Sequence, residues 1–292
     1  MLRLPPLSRL VFWLMTAALL GLAVQAVRGE PVSAASALGA LAGYLSFIVA
    51  GVMLPRWRMH ADSVTRCPGS GIALTFDDGP NPTTTRRVLA LLREHGMRAT
   101  FFVIGRKVEQ HPEVVREIVR EGHEVALHSF EHSRLYAFKT PAEVVADIER
   151  TQLAVREACG ETPVLFRPPV GMTSPRTAEG ARRAGVRLVA WSVRGYDGLA
   201  HGSPHAVLRR VLRGIRPGAI VLLHDAAEHD DFEPASLDVL PAMLGELRAR
   251  GLTSLRLSDA LVARRPEPRA ARAPMELAGS ASAAMGSSIE SA

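Results

Sequence analysis

The sequence predicts an α/β domain built on a parallel sheet and preceded by a helical hairpin in a membrane. From Gly71 onward, seven apolar runs of β type alternate with helix-like segments, and prolines and glycines bound those segments. Such alternation is typical of parallel strands, in either a barrel-like or a doubly wound arrangement. The hairpin is predicted by two uncharged apolar segments that precede the domain.

The two apolar segments are residues 10–27 and 32–54, and neither contains a charged side chain. Each approaches or exceeds the ~18–20 residues that cross a hydrocarbon core. A turn at 28–31 joins them, so we predict an uncleaved hairpin that anchors residues 1–56 in the membrane. The alternative is a signal peptide, because Val24-Gln25-Ala26 could serve a signal peptidase.

Arginines near these segments bear on the side of the membrane that the domain occupies. The turn contains only Arg28, whereas five arginines flank the outer ends: Arg3, Arg9, Arg56, Arg58 and Arg66. Basic residues favour the cytoplasmic side. The charge pattern therefore favours a cytoplasmic domain.

After a linker at 57–69, we assign residues 70–262 to the domain. The predicted strands are 71–76, 99–104, 124–128, 164–167, 187–193, 219–224 and 253–257. The predicted helices are 82–95, 111–121, 141–158, 175–184, 203–214 and 236–250, with first-turn prolines at 112, 141, 175 and 204. The Ala/Pro/Arg/Ser-rich tail at 263–292 has little to bury and is predicted to be disordered.

Composition excludes some classes of function. The net charge of +6 comes mostly from arginines, and the sequence contains no recognisable nucleic-acid reading module, so we expect no nucleic-acid partner. Cys67 and Cys159 have no C-x-x-C spacing, which leaves two free thiols or one optional bridge.

Reactive side chains gather where the predicted strands end. The residues in question are Asp77 and Asp78, His128 and His132, Arg167, Asp197, and His224 with Asp225. In parallel α/β barrels the chemistry lies at the carboxyl ends of the strands. An Asp-Asp-Gly-Pro sequence alone is usually a turn, and a lone His-x-x-x-His pair is usually a solvated surface. Their joint occurrence at strand ends indicates a catalytic site.

This set of motifs resembles the polysaccharide deacetylase family, the NodB-like domain of carbohydrate esterase family four. The stretches similar to the family's first, second, third and fifth motifs are 74–80, 128–132, 166–171 and 222–224, and 191–197 looks like a degraded fourth. The resemblance runs from about 71 to 263 and implies a distorted (β/α)7 barrel.

The resemblance implies one divalent metal ion, held by Asp78, His128 and His132. One carboxylate and two imidazoles leave positions open for water and substrate, as in catalytic metal sites. We expect zinc, and the same ligands would accept cobalt or nickel.

The metal does not need both carboxylates of the Asp pair, which leaves Asp77 as the general base. By resemblance, Arg167 pairs with Asp77, and His224 protonates the departing amine while Asp197 holds its imidazole in the charged form. The backbone N–H of Val170 stabilises the oxyanion together with the metal.

Two departures from the family's pattern bear on the substrate. Val170 stands where the third motif usually has an aromatic residue, although the backbone N–H survives this change. In the fourth motif Gly198 replaces a tryptophan that forms an apolar wall at the acyl site, and Arg194 stands where an acidic residue is common. The identity of the substrate is therefore open.

Three functions remain. The first is removal of an N-acyl group, N-acetyl foremost, from an amino sugar of a cell-envelope glycan or glycolipid. The second is deformylation or deacetylation of a lipid-linked or nucleotide-linked sugar at the cytoplasmic face, and the third is a catalytically degenerate sugar-binding domain. The family's usual work lies outside the cytoplasm, against the charge pattern, so the side of the domain stays open. We expect the other histidines at the surface: His60, His95, His111, His123, His201, His205 and His229.

Overall fold

Two long apolar helices open the computed structural model, which describes residues 6–199 and 203–262. Helix α1 spans Leu7–Val27 and α2 spans Ala34–Met53. The Phe12 ring stacks on Tyr44, and the Thr16 Oγ1 lies 3.0 Å from the Tyr44 hydroxyl oxygen, so the helices pack along each other. Both are long and apolar enough to cross a membrane, and Gly51 is the one residue of the two helices that is buried. They are candidate membrane spans.

Seven parallel strands form one sheet, which confirms the predicted α/β class. The strands are β1 (Ala73–Asp77), β2 (Ala99–Val103), β3 (Glu124–Leu127), β4 (Leu165–Phe166), β5 (Arg187–Leu188), β6 (Val193–Arg194) and β7 (Ile220–His224). Their order across the sheet is β5-β4-β3-β2-β1-β7-β6. The central strands β1, β2 and β7 are buried except for His224, because helices cover the sheet.

The connection from β5 to β6 shows that the sheet is curled into an open barrel. These two strands are consecutive in the chain, yet they occupy opposite edges of the sheet. A flat sheet of seven strands would be roughly 29 Å across, whereas the chain from Leu188 to Val193 spans at most ~18 Å. The edges must therefore approach each other.

A seam formed by residues 64–67 closes the gap between those edges. The Val64 N–H donates to the Leu188 carbonyl at 2.9 Å, and the Ala190 N–H donates to the Val64 carbonyl at 2.7 Å. Three residues later the Cys67 N–H donates to the Gly218 carbonyl at 2.9 Å, just before β7. The predicted linker at 57–69 thus contains chain that pairs with both sides of the sheet.

Eight helices lie outside the sheet in the described residues, and all but α4 and α10 correspond to predicted helices. They are α3 (Thr84–Glu94), α4 (Gly105–Gln110), α5 (Pro112–Arg120), α6 (Pro141–Cys159), α7 (Pro175–Arg183), α8 (Pro204–Gly214), α9 (Ser236–Ala249) and α10 (Leu257–Val262). The best-defined start is that of α6, where Thr140 and Glu143 form a capping box. The same helix stops at Gly160, whose φ of 82° favours glycine.

Three local predictions were wrong. The single strand predicted at 187–193 is split into β5 and β6, because the intervening residues cross the gap between the two edges of the curled sheet. The strand predicted at 253–257 is reduced to one bridge between Ile72 and Ser254, after which α10 begins. His123, predicted at the surface, is buried: its Nδ1 accepts from the Ala99 N–H and its ring packs against Phe101. The predicted disordered tail at 263–292 and His201 lie outside the described residues.

Candidate active site

A pocket of about 350 Å³ lies at the carboxyl ends of the strands. Six of the eight predicted site residues line it: Asp77, Asp78, His128, His132, Val170 and His224. The parallel register of β1 and β7 pairs Asp77 with His224, which brings the first and fifth motifs side by side. Arg167 and Asp197 are fully buried and contact residues of the pocket wall from behind. The fold thus brings all eight residues together.

Asp78, His128 and His132 form a cluster with the geometry of a metal site. Their ligand atoms all lie within 4.8 Å of one another, and both histidine Nε2 atoms are 3.3 Å from the Asp78 Oδ1. The His128 Nδ1 lies 2.7 Å from the Arg167 carbonyl oxygen, which fixes it as the donor and turns the Nε2 lone pair toward Asp78. The buried Asp78 Oδ1 has no hydrogen-bond partner among the described residues. A divalent cation would satisfy this oxygen and both lone pairs.

The electrostatics of the cluster favour a cation. Burial opposes charge on Asp78, but the close approach of the His128 imidazole and the charges of His224 and His132 outweigh it, so the pKa of Asp78 is far below its ordinary value. Burial and the charge of His128 lower the pKa of His132, which favours the neutral form that a metal needs. Burial opposes charge on His128 as well, but Asp77 and Asp78 outweigh it and raise the pKa of His128. Metal binding there must release a proton.

Asp77 is held by Arg167 rather than by the metal cluster. The Arg167 Nη1 donates to the Asp77 Oδ1 at 2.5 Å and to the Thr75 Oγ1 at 3.0 Å. The buried guanidinium also lies over the Phe102 ring, 4.0 Å from its centroid. The nearest approach of Asp77 to His128 is longer, at 3.8 Å. Asp77 is therefore oriented at the pocket floor with one oxygen available for proton transfer.

His224 and the buried Asp197 form a pair on the other side of the pocket. The Asp197 Oδ2 accepts from the His224 backbone N–H at 2.7 Å and lies 3.3 Å from the His224 Nδ1. Burial alone would lower the pKa of His224, but the charge of Asp197 outweighs it and raises the pKa to about 9. His224 is thus protonated at neutral pH and can donate a proton into the pocket.

The three positions that depart from the family pattern also surround the pocket. Val170 has a φ of 57°, in the left-handed region, within the short helix Pro169–Gly171. Gly198 lies against His224: a Cβ there would stand 2.8 Å from the imidazole, so the backbone packs where a side chain would collide. The Arg194 guanidinium lies over the Tyr196 ring, 4.7 Å from its centroid, and lines the pocket.

Comparison with known proteins agrees with this geometry. The family described as polysaccharide deacetylase matches residues 66–189. A chitooligosaccharide deacetylase from Bradyrhizobium sp. (strain ANU 289) is 44% identical over 155 residues, which are 53% of this chain and 70% of that relative. The chain belongs to the polysaccharide deacetylase family.

Two other members of this family frame the question of activity. A peptidoglycan-N-acetylglucosamine deacetylase from Bacillus cereus is 34% identical, covering 65% of this chain and 87% of the relative. A solved structure of a pseudoenzyme of carbohydrate esterase family four, from Bacillus anthracis, matches with a TM-score of 0.63 and 25% identity over 70% of each chain. Since the polysaccharide deacetylase fold contains both kinds of protein, activity has to be argued from the side chains.

The loop after β7 adds residues that sequence reasoning missed. The Glu228 Oε1 lies 3.2 Å from the His132 Nδ1, on the side of the ring away from Asp78. Buried Lys107 holds this loop, because its Nζ donates to the Ala227 carbonyl at 2.6 Å and to the Asp230 Oδ1 at 2.8 Å. The acidic run at 228–231 was the signal in the sequence, but only the fold shows which carboxylate faces the metal cluster.

Asp225 is a further buried carboxylate beside the site. It accepts a hydrogen bond from the Thr85 hydroxyl, and its backbone N–H donates to the Asp77 carbonyl. Burial raises the pKa of Asp225 to about 7. A Cβ at Gly79 would meet its carboxylate, so Asp225 packs tightly against the loop that carries Asp77 and Asp78.

Proposed function

We propose that the chain is a metal-dependent hydrolase that removes the N-acetyl group from an amino sugar of a cell-envelope glycan. The observation that carries this proposal is the cluster of Asp78, His128 and His132 beside an independently held carboxylate, Asp77, and opposite the pair of His224 with Asp197. A sugar-binding domain would require none of the proton-transfer pairs. Relatives named as deacetylases of chitooligosaccharides and peptidoglycan support the class of substrate.

Each side chain then has a separate task in hydrolysis of the amide. A divalent metal held by the three ligands, zinc by preference and cobalt or nickel as substitutes, would supply a Lewis acid that polarises the acyl carbonyl. Asp77 accepts a proton from the attacking water, and the Val170 N–H donates to the developing oxyanion. His224 gives its proton to the nitrogen as the C–N bond breaks, so the products are a free amine and acetate.

Acetate release from chitotetraose by the full chain in detergent micelles tests this function. We expect acetate and free amine in equal amounts, loss of both after chelation, and recovery when zinc is added back. The Asp77→Asn protein loaded with zinc serves as the background control. Failure of the loaded protein to release acetate from both N-acetylated oligosaccharides and N-acetylated glycolipids, with metal bound in stoichiometric amount, would reject the proposal.

We also propose that α1 and α2 anchor the protein in the cell membrane as an uncleaved hairpin. Their length, their apolar surface and their mutual packing support this. The mature protein should begin near Met1 and partition with membranes, which terminal sequencing and fractionation measure. A soluble form that begins near Val27 would contradict the hairpin, and protection of a C-terminal reporter from added protease would decide the side.

A further inference from the structure

A second cavity, of about 620 Å³, lies between the hairpin and the active-site mouth. We call it the hairpin groove. One wall is formed by α2 (Ile48, Val49, Val52 and Met53), and the other mainly by Leu135, Ala137, Phe138 and Met172 of the domain. Its lining is largely apolar, although it borders a catalytic pocket that is rich in charge.

The groove adjoins the active site directly. Arg134 and Met172 line both cavities. The Thr173 N–H donates to the Val52 carbonyl at 3.1 Å, so the end of α2 is hydrogen-bonded to the chain that follows the short helix Pro169–Gly171. Val170, the oxyanion donor of the proposed mechanism, belongs to that short helix. The hairpin therefore places the catalytic mouth at the end of a candidate membrane span.

The apolar walls of the groove are open. Leu135 is 68% exposed and Phe138 is 72% exposed, and both stand beside α2. Val49 on the facing wall is 59% exposed. An apolar surface of this kind marks a binding site. One wall belongs to α2, a helix that can cross a membrane, so the groove opens toward lipid. A hydrocarbon chain is therefore the occupant that fits it.

One guanidinium group stands where the groove meets the pocket, and a second lines the pocket alone. Arg134 lies in both cavities, and its nearest carboxylate is Glu228 at 3.4 Å. Arg194 lines the pocket and its Nε lacks a hydrogen-bond partner within the described part of the chain. Arginine binds phosphate with several parallel hydrogen bonds. A phosphate bound to Arg134 would therefore lie between a hydrocarbon chain in the groove and a sugar in the catalytic pocket.

We propose that the substrate is a lipid-linked amino sugar whose hydrocarbon chain occupies the hairpin groove and whose phosphate binds Arg134. The sugar then reaches the metal cluster with its N-acetyl group. This rests on the proposed function and narrows its substrate to a glycolipid at the membrane surface, in place of a free polymer.

Three substrates test the groove with the full chain in detergent micelles. They are N-acetylglucosamine diphosphate on a polyprenol, the same diphosphate on a methyl group, and chitotetraose. We expect kcat/KM for the polyprenyl substrate to exceed that for the methyl substrate by at least roughly tenfold, since burying two methylene groups suffices for this factor. Arg134→Gln should raise KM for both diphosphates more than for chitotetraose.

Matched variants separate the groove from simple partitioning into micelles. Val49→Trp fills the groove and should bring the ratio between the polyprenyl and methyl substrates close to one. Leu14→Trp is the control, because Leu14 is equally exposed (61%) on α1 but lies outside the groove. It should leave the ratio unchanged. Equal kcat/KM for the two diphosphates, or a ratio that Val49→Trp does not change, would overturn the glycolipid proposal but leave the proposed deacetylase function intact. Failure to hydrolyse any of the three would overturn the proposed function as well.

Discussion

The two sides of the active-site pocket hold their histidines differently. On the metal side, His128 and His132 both place an Nε2 atom 3.3 Å from a single oxygen, the Asp78 Oδ1. On the acid side, His224 is the one imidazole among the described residues that pairs with Asp197, and its Nδ1 lies 3.3 Å from the Oδ2. Both sides are built from imidazoles beside buried carboxylates, so residue type alone does not distinguish them.

The difference lies in how many imidazoles share a carboxylate. Two protonated imidazoles at one oxygen repel each other, and burial together with the charge of His128 lowers the pKa of His132. A single imidazole beside its own carboxylate is stabilised in the charged form, and the pKa of His224 rises to about 9. Sharing Asp78 therefore keeps one of the two imidazoles, His132, in the neutral form that a metal needs, whereas the pKa of His128 is raised and its proton must leave when a metal binds. A carboxylate that serves a single imidazole, like Asp197, favours a proton donor.

The largest effect is expected on the metal side. His132→Ala removes one of three protein ligands, so bound zinc should be lost and acetate release should fall to background. Metal analysis of the purified protein measures the first and acetate release the second. His205→Ala, an exposed histidine on α8, is the control. Stoichiometric metal in both His128→Ala and His132→Ala would show that these are not the ligands.

Asp77→Asn should separate chemistry from metal binding. The base is lost while the metal ligands remain, so kcat should fall by roughly 10²–10⁴ with near-normal metal content. Asp238→Asn, an exposed aspartate at the start of α9, controls for loss of a charge. If Asp77→Asn empties the site, Asp77 is a ligand and the roles within the pair must be exchanged.

A smaller effect on metal affinity is expected at Glu228. Its carboxylate lies 3.2 Å from the His132 Nδ1 and can orient the ring toward the metal. Glu228→Gln should weaken zinc binding by roughly 10–100-fold, the usual effect of losing such a partner. Competition with a chromogenic chelator measures the affinity. Glu233→Gln, in the same loop but paired with Arg87, should bind zinc as the parent does.

The role of His224 as the acid should appear in the pH dependence of activity. His224 donates a proton, so it acts below its pKa, and activity should decline as pH rises through about 9. In Asp197→Asn this limb should move toward the ordinary histidine value, ~6.5, which lowers activity roughly thirtyfold at pH 8 and little at pH 6. The pH–rate profile on chitotetraose measures it. An unchanged alkaline limb would mean that a group other than His224 is the acid.

The same pair gives the smallest effect, on stability. Because the folded-state pKa of His224 is raised, its contribution is complete below ~6.5 and is lost as pH rises through the folded value. The parent's advantage over Asp197→Asn in denaturant unfolding should therefore shrink between pH 6.5 and 9. A difference that does not vary with pH would assign Asp197 a packing role only.

Local sequence predicts much of this site because its parts are local. Asp77 and Asp78 directly follow one apolar run. His128 and His132, four residues apart, stand at the end of another. A parallel sheet then brings all strand ends to one edge, so the cluster follows from the strand assignment. First-turn prolines likewise predicted where α5, α6, α7 and α8 begin.

Features that depend on distant parts of the chain could not be predicted in this way. Glu228 meets His132, and Lys107 holds Ala227 across 120 residues of sequence. The strand predicted at 187–193 has a continuous apolar pattern, and only closure of the sheet divides it between two edges. His123 has a polar side chain, yet it is buried against the Phe101 ring, and burial lowers its pKa to about 4.

The seam at 64–67 has a consequence for how the domain can be isolated. A truncation that begins at residue 70 would remove Val64 and Cys67 and expose the carbonyls of Leu188 and Gly218 with the N–H of Ala190. Exposed strand edges of this kind recruit other chains and lead to aggregation. A truncation that begins near Ala61 would keep both edges covered while omitting the hairpin. Soluble yield should therefore change sharply over less than ten residues of chain, at a position far from the catalytic motifs.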